Sequence, residues 1–401
     1  MKYCIALLLV SASIFAHAQK TSATPVMGWM SWNVHEGDIN EEIIKGVADA
    51  LVEKGLDKAG YQFICIDDGW VGGRDKKNRI IADQVKFPSG IKAIAEYLHS
   101  KGLKLGIYSS ASTLTCLGYT ASYGFEDLDA KTFAEWKVDY LKYDWCGDAP
   151  NDPESLRIRN ETMSKAIAEV KSIHPIALGF WGGFTYQDWF KEVGNDWRTG
   201  WDIRDSWFTK HPQRTGIFDA YEATVRWENT AGPYGHNDPD MLVIGLHGKG
   251  KAASREGHTG GCTNEEYRSQ MSLWSLMASP LLISVDVKSL DKVSIDILSD
   301  NEILAINQDS LSVQAKRVQQ TNLYDVLVKP LANGDFALGI LNKSNAPLKL
   351  NLPFKEAGFI GTFKTRDVWR KKTTEKSTGW SGTLAAHETL VLRLTAVAAV
   401  R

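Results

Sequence analysis

Short apolar runs alternate with amphipathic helical segments from Pro25 to about Asp309, and this alternation restricts the chain to few folds. Asn40 stands where it can cap a helix with the apolar face Ile43, Ile44, Val47 and Leu51, stopped by Gly55. Residues 62–67 form an apolar run read as a buried strand. Ser89 is placed to cap a helix through Ile91, Ile94, Ala95 and Leu98, and residues 104–108 give the next strand. The pattern continues with a helix over 129–137, a strand over 140–146, a helix over 156–172 and a strand over 176–182. Strands near 197–203 and 240–245 follow, then a helix over 264–278, a strand over 280–285 and a last helix over 294–307. With residues 26–32 as the first strand, there are about eight strand–helix units, which require a parallel sheet with helical crossovers. Eight units in roughly 250–290 residues predict an α/β fold of the (β/α)8 TIM-barrel type rather than an open doubly wound sheet. No Gly-x-Gly-x-x-Gly follows the first strand, so nothing favours a dinucleotide fold or cofactor.

Beyond Asp309 the helical period disappears. Residues 324–329, 336–342, 348–352, 363–368 and 389–395 read as short strands, with turns at Asn333-Gly334-Asp335 and at 342–347. The expected division is a signal peptide over 1–18, a catalytic barrel over 19–310 and a C-terminal antiparallel β-sandwich over 311–401. The signal rests on the basic start Met1-Lys2, an apolar stretch and the cleavage site Ala16-His17-Ala18. It predicts a secreted or periplasmic protein of bacterial type, with no membrane insertion. Four cysteines remain after cleavage, Cys65, Cys116, Cys146 and Cys262, and an oxidising compartment permits any of three full pairings.

Lys and Arg number 46 against 48 Asp and Glu, a net charge of −2 without a basic run, which argues against nucleic acid as a partner. Fourteen tryptophans stand out, because flat apolar rings suit both a core and the C–H faces of a sugar.

In a barrel, chemistry gathers where the strands end. Those ends carry Trp29-Met30-Ser31-Trp32, Asp67-Asp68-Gly69-Trp70, Tyr108, Lys142-Tyr143-Asp144-Trp145-Cys146, Phe180-Trp181, Arg198-Thr199-Gly200-Trp201-Asp202 and Asn237-Asp238-Pro239-Asp240-Met241. Carboxylates and aromatics at one rim form the inventory for glycoside hydrolysis, with one carboxylate as nucleophile and one carboxylic acid as proton donor. Side chains alternate along a strand, so Lys142, Asp144 and Cys146 share a face, and the lysine favours an ionised Asp144. Taken alone, the pair fits an ordinary ion pair at a barrel rim equally well. Asp202 is the candidate acid, with Trp201 and Trp207 expected to desolvate it and raise its pKa. Asp67-Asp68 lacks the His-x-His or calcium-loop spacing of a metal site, so no metal is expected. Asp238 reads as holding the strand-seven turn. Nothing resembles a Gly-x-Ser-x-Gly elbow.

Six markers in order resemble glycoside hydrolase family 27, which comprises α-galactosidases and α-N-acetylgalactosaminidases. They are Pro25-Val-Met-Gly-Trp-Met-Ser-Trp-Asn33, Asp67-Asp-Gly-Trp70, Gly106-Ile-Tyr108 with Cys116, Leu141-Lys-Tyr-Asp-Trp-Cys146, Trp197-Arg198 with Asp202-Ile203, and Asn237-Asp-Pro-Asp-Met-Leu242. The resemblance spans the mature chain. It implies an exo-acting, retaining α-galactosidase without a cofactor, acting on a galactose-containing glycan, with Asp144 as nucleophile and Asp202 as acid/base. It also implies a sugar pocket of Trp32, Asp67, Asp68, Tyr108, Lys142, Phe180, Trp181, Arg198, Asp240 and Met241, and a Cys116–Cys146 disulfide. β-L-Arabinopyranosidase or α-N-acetylgalactosaminidase activity is the alternative within the family, and a sugar-binding protein without turnover the alternative outside it. Two departures stand out. The family's Cys-Glu-Trp at strand five is Gly179-Phe180-Trp181 here, which puts an apolar Phe180 where a carboxylate helps recognise the C2 hydroxyl. Residues 246–262 form a Gly-, Lys- and His-rich insertion, in which Lys249, Lys251 or Arg255 is expected to supply the missing contact.

Overall fold

The computed structural model describes residues 22–252 and 260–397, so the signal-peptide reading and Arg255 lie outside the described residues. Eight parallel strands curl into a barrel: Met27–Met30, Phe63–Ile66, Lys104–Ser110, Tyr140–Asp144, Ala177–Trp181, Asp196–Arg198, His236–Asp238 and Leu281–Ile283. The first seven pair successively in this order, and the eighth pairs with the first. The ring closes differently from the predicted strand over 240–245. Strand seven pairs with strand six only as far as Asp238, and Asp240 then takes a positive φ of 87°. The chain turns there, and Leu242 bridges to Ile283 on strand eight, with its N–H 2.8 Å from the Leu282 carbonyl.

The helices form as their caps dictate. The Asn40 side chain accepts from the Ile43 N–H at 2.9 Å, and Glu41 and Glu42 occupy the positive N-terminal turn of Glu41–Glu53. That helix buries Ile44, Val47, Ala48 and Leu51 against the strands. The helix Gly90–Ser100 begins where expected, but the Ser89 side chain makes no cap; its N–H donates instead to Glu41. The last predicted helix is two, Lys292–Leu298 and Asn301–Asn307, because Asp300 caps a new start through the N–H groups of Glu302 and Ile303. The Gln308 side chain then reaches the Pro25 carbonyl at 3.0 Å, so the two ends of the barrel lie together. A hairpin, Val71–Arg74 with Ile80–Ala82, and the helices Phe190–Val193 and Ile217–Val225 were not predicted.

The C-terminal domain is an antiparallel six-stranded sheet covered by a two-stranded one. Its central strands are apolar on both faces, and the two-residue period divides them between two cores. Val326, Leu338, Ile340, Leu390, Leu392 and Leu394 face the covering strands. Leu327, Ala337, Leu341 and Val391 join the barrel core. Gly339 lets the sheet approach the helix Asn264–Leu276, since a Cβ there would lie 2.4 Å from Leu276. Against the sequence expectation, three further strands belong to this domain: Lys316–Gln320, Lys372–Ser377 and Gly379–Leu384.

Candidate active site

Parallel pairing places side chains of paired residues on the same side of the sheet. Tyr108 pairs with Lys142, Lys142 with Gly179, Trp181 with Arg198, and Arg198 with Asp238. This belt faces the barrel interior. Above it lies a cavity of about 270 Å³, lined by Trp32, Asp67, Tyr108, Cys116, Leu117, Lys142, Asp144, Trp145, Trp181, Trp201, Asp202 and Arg214. The volume is near the lower end of ligand pockets.

Asp144 is held from two sides. Its Oδ2 accepts from the Tyr108 hydroxyl at 2.9 Å and its Oδ1 from the Trp145 N–H at 2.8 Å. Lys142 pairs directly with Asp67, 2.8 Å away, rather than with Asp144. Burial disfavours the charged ammonium, but the carboxylates of Asp67 and Asp144 outweigh it and its pKa is raised. A cation is thus already built into the Asp67 site.

Asp202 departs from expectation. Burial alone raises its pKa, but Arg198, Lys142, Arg204 and Arg214 overcome that and hold it below the usual carboxyl range. Its Oδ1 is 3.3 Å from Arg198 Nη2, and its side chain is 36% exposed to the cavity. Trp201 lines the cavity with Asp202, whereas the Trp207 indole is not among its lining residues and stacks on His387 of the sandwich, with ring centres 4.5 Å apart.

Behind this layer, Arg198 also pairs with Asp240 at 3.1 Å, and Asp240 accepts the Ile203 N–H at 2.8 Å. Asp238 accepts the Asp240 N–H at 2.8 Å and so holds the strand-seven turn. Arg198, Asp240 and Met241 line a smaller chamber beneath the main cavity. Asp68 receives the Leu117 N–H on Oδ2, its Oδ1 is buried without a partner, and burial raises its pKa to about 6. Cys116 and Cys146 form a disulfide beside Asp144, while Cys65 and Cys262 are free and buried. Cys116, Asp144 and Cys146 cluster closely enough for a metal, but both sulfurs are consumed by the bridge.

Sequence profiles fit both parts of the chain. The one described as "Alpha galactosidase A" matches residues 24–309, and the one described as "Alpha galactosidase C-terminal beta sandwich domain" matches residues 321–394. The chain belongs to the alpha-galactosidase A family. Within the family it is 41% identical to Alpha-galactosidase 2 of Arabidopsis thaliana, over 87% of this chain and 84% of that one. It is 36% identical to Alpha-galactosidase A of Cellvibrio japonicus, over 96% and 97% of the two chains. The solved structure of an α-galactosidase from Saccharomyces cerevisiae with raffinose superimposes with a TM-score of 0.82 at 27% identity, covering 93% of this chain and 98% of that one.

Against this α-galactosidase frame, two expectations need correction. Phe180 borders the smaller chamber but does not line the main cavity. It lies one residue out of phase with Gly179 and Trp181, so its ring points outward and packs on Trp189, Phe190 and Trp197. It fills the space above Gly194, where a Cβ would come within 2.7 Å of the ring. The pocket-facing residue on strand five is Trp181. The insertion also brings no described cation to the pocket: Lys251 pairs with Asp38, and Lys249 is exposed. Its base is clamped by Asp205, which accepts the Gly248 and Cys262 N–H groups and the Tyr267 hydroxyl. The sequence reading missed Arg214, which lines the main cavity from the loop after strand six.

Proposed function

We propose that the protein is an exo-acting retaining α-galactosidase that releases terminal galactose from neutral glycans. The observation carrying this reading is that Asp144 and Asp202 line one cavity together with Trp32, Asp67 and Lys142. Asp144, oriented by Tyr108 and Trp145, attacks the anomeric carbon as the bond to the leaving oxygen breaks. That oxygen takes the proton of Asp202, and a glycosyl-enzyme forms on Asp144. Water then attacks the anomeric carbon, Asp202 removes its proton, and Asp144 leaves. Retention calls for carboxyl groups about 5–5.5 Å apart. The cations around Asp202 suit it to the second step, in which it is a base, and restrict the first to acidic pH. Asp67, Asp68 and Arg198 supply polar contacts to sugar hydroxyls, and Trp32 an apolar face. The bulky Trp181 opposes an acetamido group and favours galactose. The reading extends to export, since disulfides persist in oxidising compartments.

The test is a panel of nitrophenyl glycosides. Rapid release from the α-galactoside is expected, together with loss of a trapped glycosyl-enzyme in Asp144→Asn. Asp202→Asn should impair poor leaving groups most. Faster cleavage of the α-N-acetylgalactosaminide or the β-L-arabinopyranoside would reassign the substrate, and an inverted product would exclude the mechanism.

A further inference from the structure

One buried carboxyl group inside the barrel takes no part in the hydrolysis as written. Asp196 lies on strand six, two residues before Arg198, and is 2% exposed. Its Oδ1 accepts from the Tyr140 hydroxyl at 2.9 Å, and its Oδ2 is buried without a partner. Strand five makes room for this pair with Gly179, where a Cβ would strike both groups. Asp196, Tyr140 and Asp238 all line the smaller chamber beneath the main cavity, so carboxyl groups of strands six and seven share one enclosed space.

The surroundings decide the charge of Asp196. Strand four brings Tyr140, Lys142, Tyr143 and Asp144 to the chamber, and strand seven with its turn brings Asp238 and Asp240. Strand two adds the thiol of Cys65, and strand six itself adds Arg198. His236 pairs with Asp196 along the sheet but turns its ring to Ser312. Strands one, five and eight add no titratable group. Both cations are committed elsewhere, Lys142 to Asp67 and Arg198 to Asp202 and Asp240. A carboxylate without a cation is costly to bury, so Asp196 keeps its proton. Burial, then the Asp238 charge, raise its pKa well above the usual carboxyl range, whereas burial brings Asp238 only to about 6.

We propose that Asp196 is a positioning residue for the hydrolysis, which keeps Asp238 in place by facing it as a neutral acid. The inference rests on the α-galactosidase reading and extends it to a residue beneath the sugar site. Asp238 holds the strand-seven turn through the Asp240 N–H. Asp240 accepts the Ile203 N–H, next to Asp202, and pairs with Arg198, which also reaches Asp202. A second negative charge in the chamber repels Asp238 and loosens the turn on which the acid/base depends. Loss of the Asp196 proton therefore sets an alkaline limit separate from the titration of Asp202.

The experiment uses a dinitrophenyl α-galactoside, whose leaving group needs no proton, so that kcat follows hydrolysis of the glycosyl-enzyme. Asp202 works ionised in that step and causes no alkaline fall. Asp196→Ala should lower kcat about fivefold, with KM changed less. Asp196→Asn stays neutral at every pH and still accepts from Tyr140. It should recover most of that loss, and its alkaline fall should lie at least about one pH unit above that of the wild type. The infrared difference between wild type and Asp196→Asn should show a protonated carboxyl group at neutral pH that vanishes over the same alkaline range. Coincident alkaline limbs, or no protonated carboxyl group in the difference spectrum, would overturn the role of Asp196. A wild type inactive on α-galactosides would instead overturn the underlying function, and the spectrum would still report on Asp196.

Discussion

Lys329 offers a test of how the sandwich is seated on the barrel. It lies on the strand Tyr324–Pro330, is fully buried, and donates to the Ser275 carbonyl at 3.2 Å. Burial pushes its pKa from 10.5 down to about 7, with Asp309 opposing. The unfolded chain therefore holds this proton more tightly than the folded one. The site leaves stability unchanged above about pH 10.5, lowers it as pH falls towards 7, and adds no further loss below that. At about 1.4 kcal/mol per unit, the penalty is about 2 kcal/mol at pH 9 and about 4 kcal/mol at pH 7. Lys329→Met keeps an unbranched apolar stem. It removes one hydrogen bond, worth about 1 kcal/mol for the neutral amine that the folded state holds above pH 7. The Ser275 carbonyl still receives the Ala278 N–H at 3.2 Å. The variant should therefore gain about 3 kcal/mol at pH 7 and about 1 kcal/mol at pH 9. Denaturant unfolding of both proteins at the two pH values measures the difference directly, and other titrations cancel between them. An advantage independent of pH, or a variant less stable at pH 7, would show that the buried ammonium is not penalised.

Arg214→Met removes one of the cations that depress Asp202, so the alkaline limb of the kcat/KM profile should move to higher pH; an unmoved limb would separate Arg214 from the acid. The Cys116–Cys146 bridge closes a 30-residue separation, and Cys116→Ser should lower stability by about 3 kcal/mol, as should reductant acting on the wild type. In Gly179→Ala, the new Cβ would lie 1.9 Å from the Tyr140 hydroxyl and 2.3 Å from Asp196 Oδ1. A loss of about 1–3 kcal/mol is expected, partly relieved by adding Tyr140→Phe, and thermal melts of the single and double variants check it.

The barrel was legible because its strands are continuous apolar runs between capped helices, a pattern that both buried faces of a parallel sheet impose. The edge strands Lys316–Gln320 and Lys372–Ser377 were not, since they are largely exposed and carry little apolar alternation. The hairpin at Val71–Arg74 was hidden by Gly72 and Gly73, which break the strand pattern. Asp144, Tyr108 and Lys142 were found where strand parity put them. Phe180 was misplaced because it was set by matching Gly179-Phe180-Trp181 to the family's Cys-Glu-Trp, whereas the two-residue alternation of the strand turns its ring to the helices. Arg214 sits in a loop, where no periodicity marks which side chains turn inward.

The contact between Gln308 and Pro25 leaves a seam in the ring at the end remote from the catalytic residues. Joining the chain across that seam and cutting it at a rim loop would give the same barrel with its elements in a rotated order. The architecture thus lends itself to circular permutation.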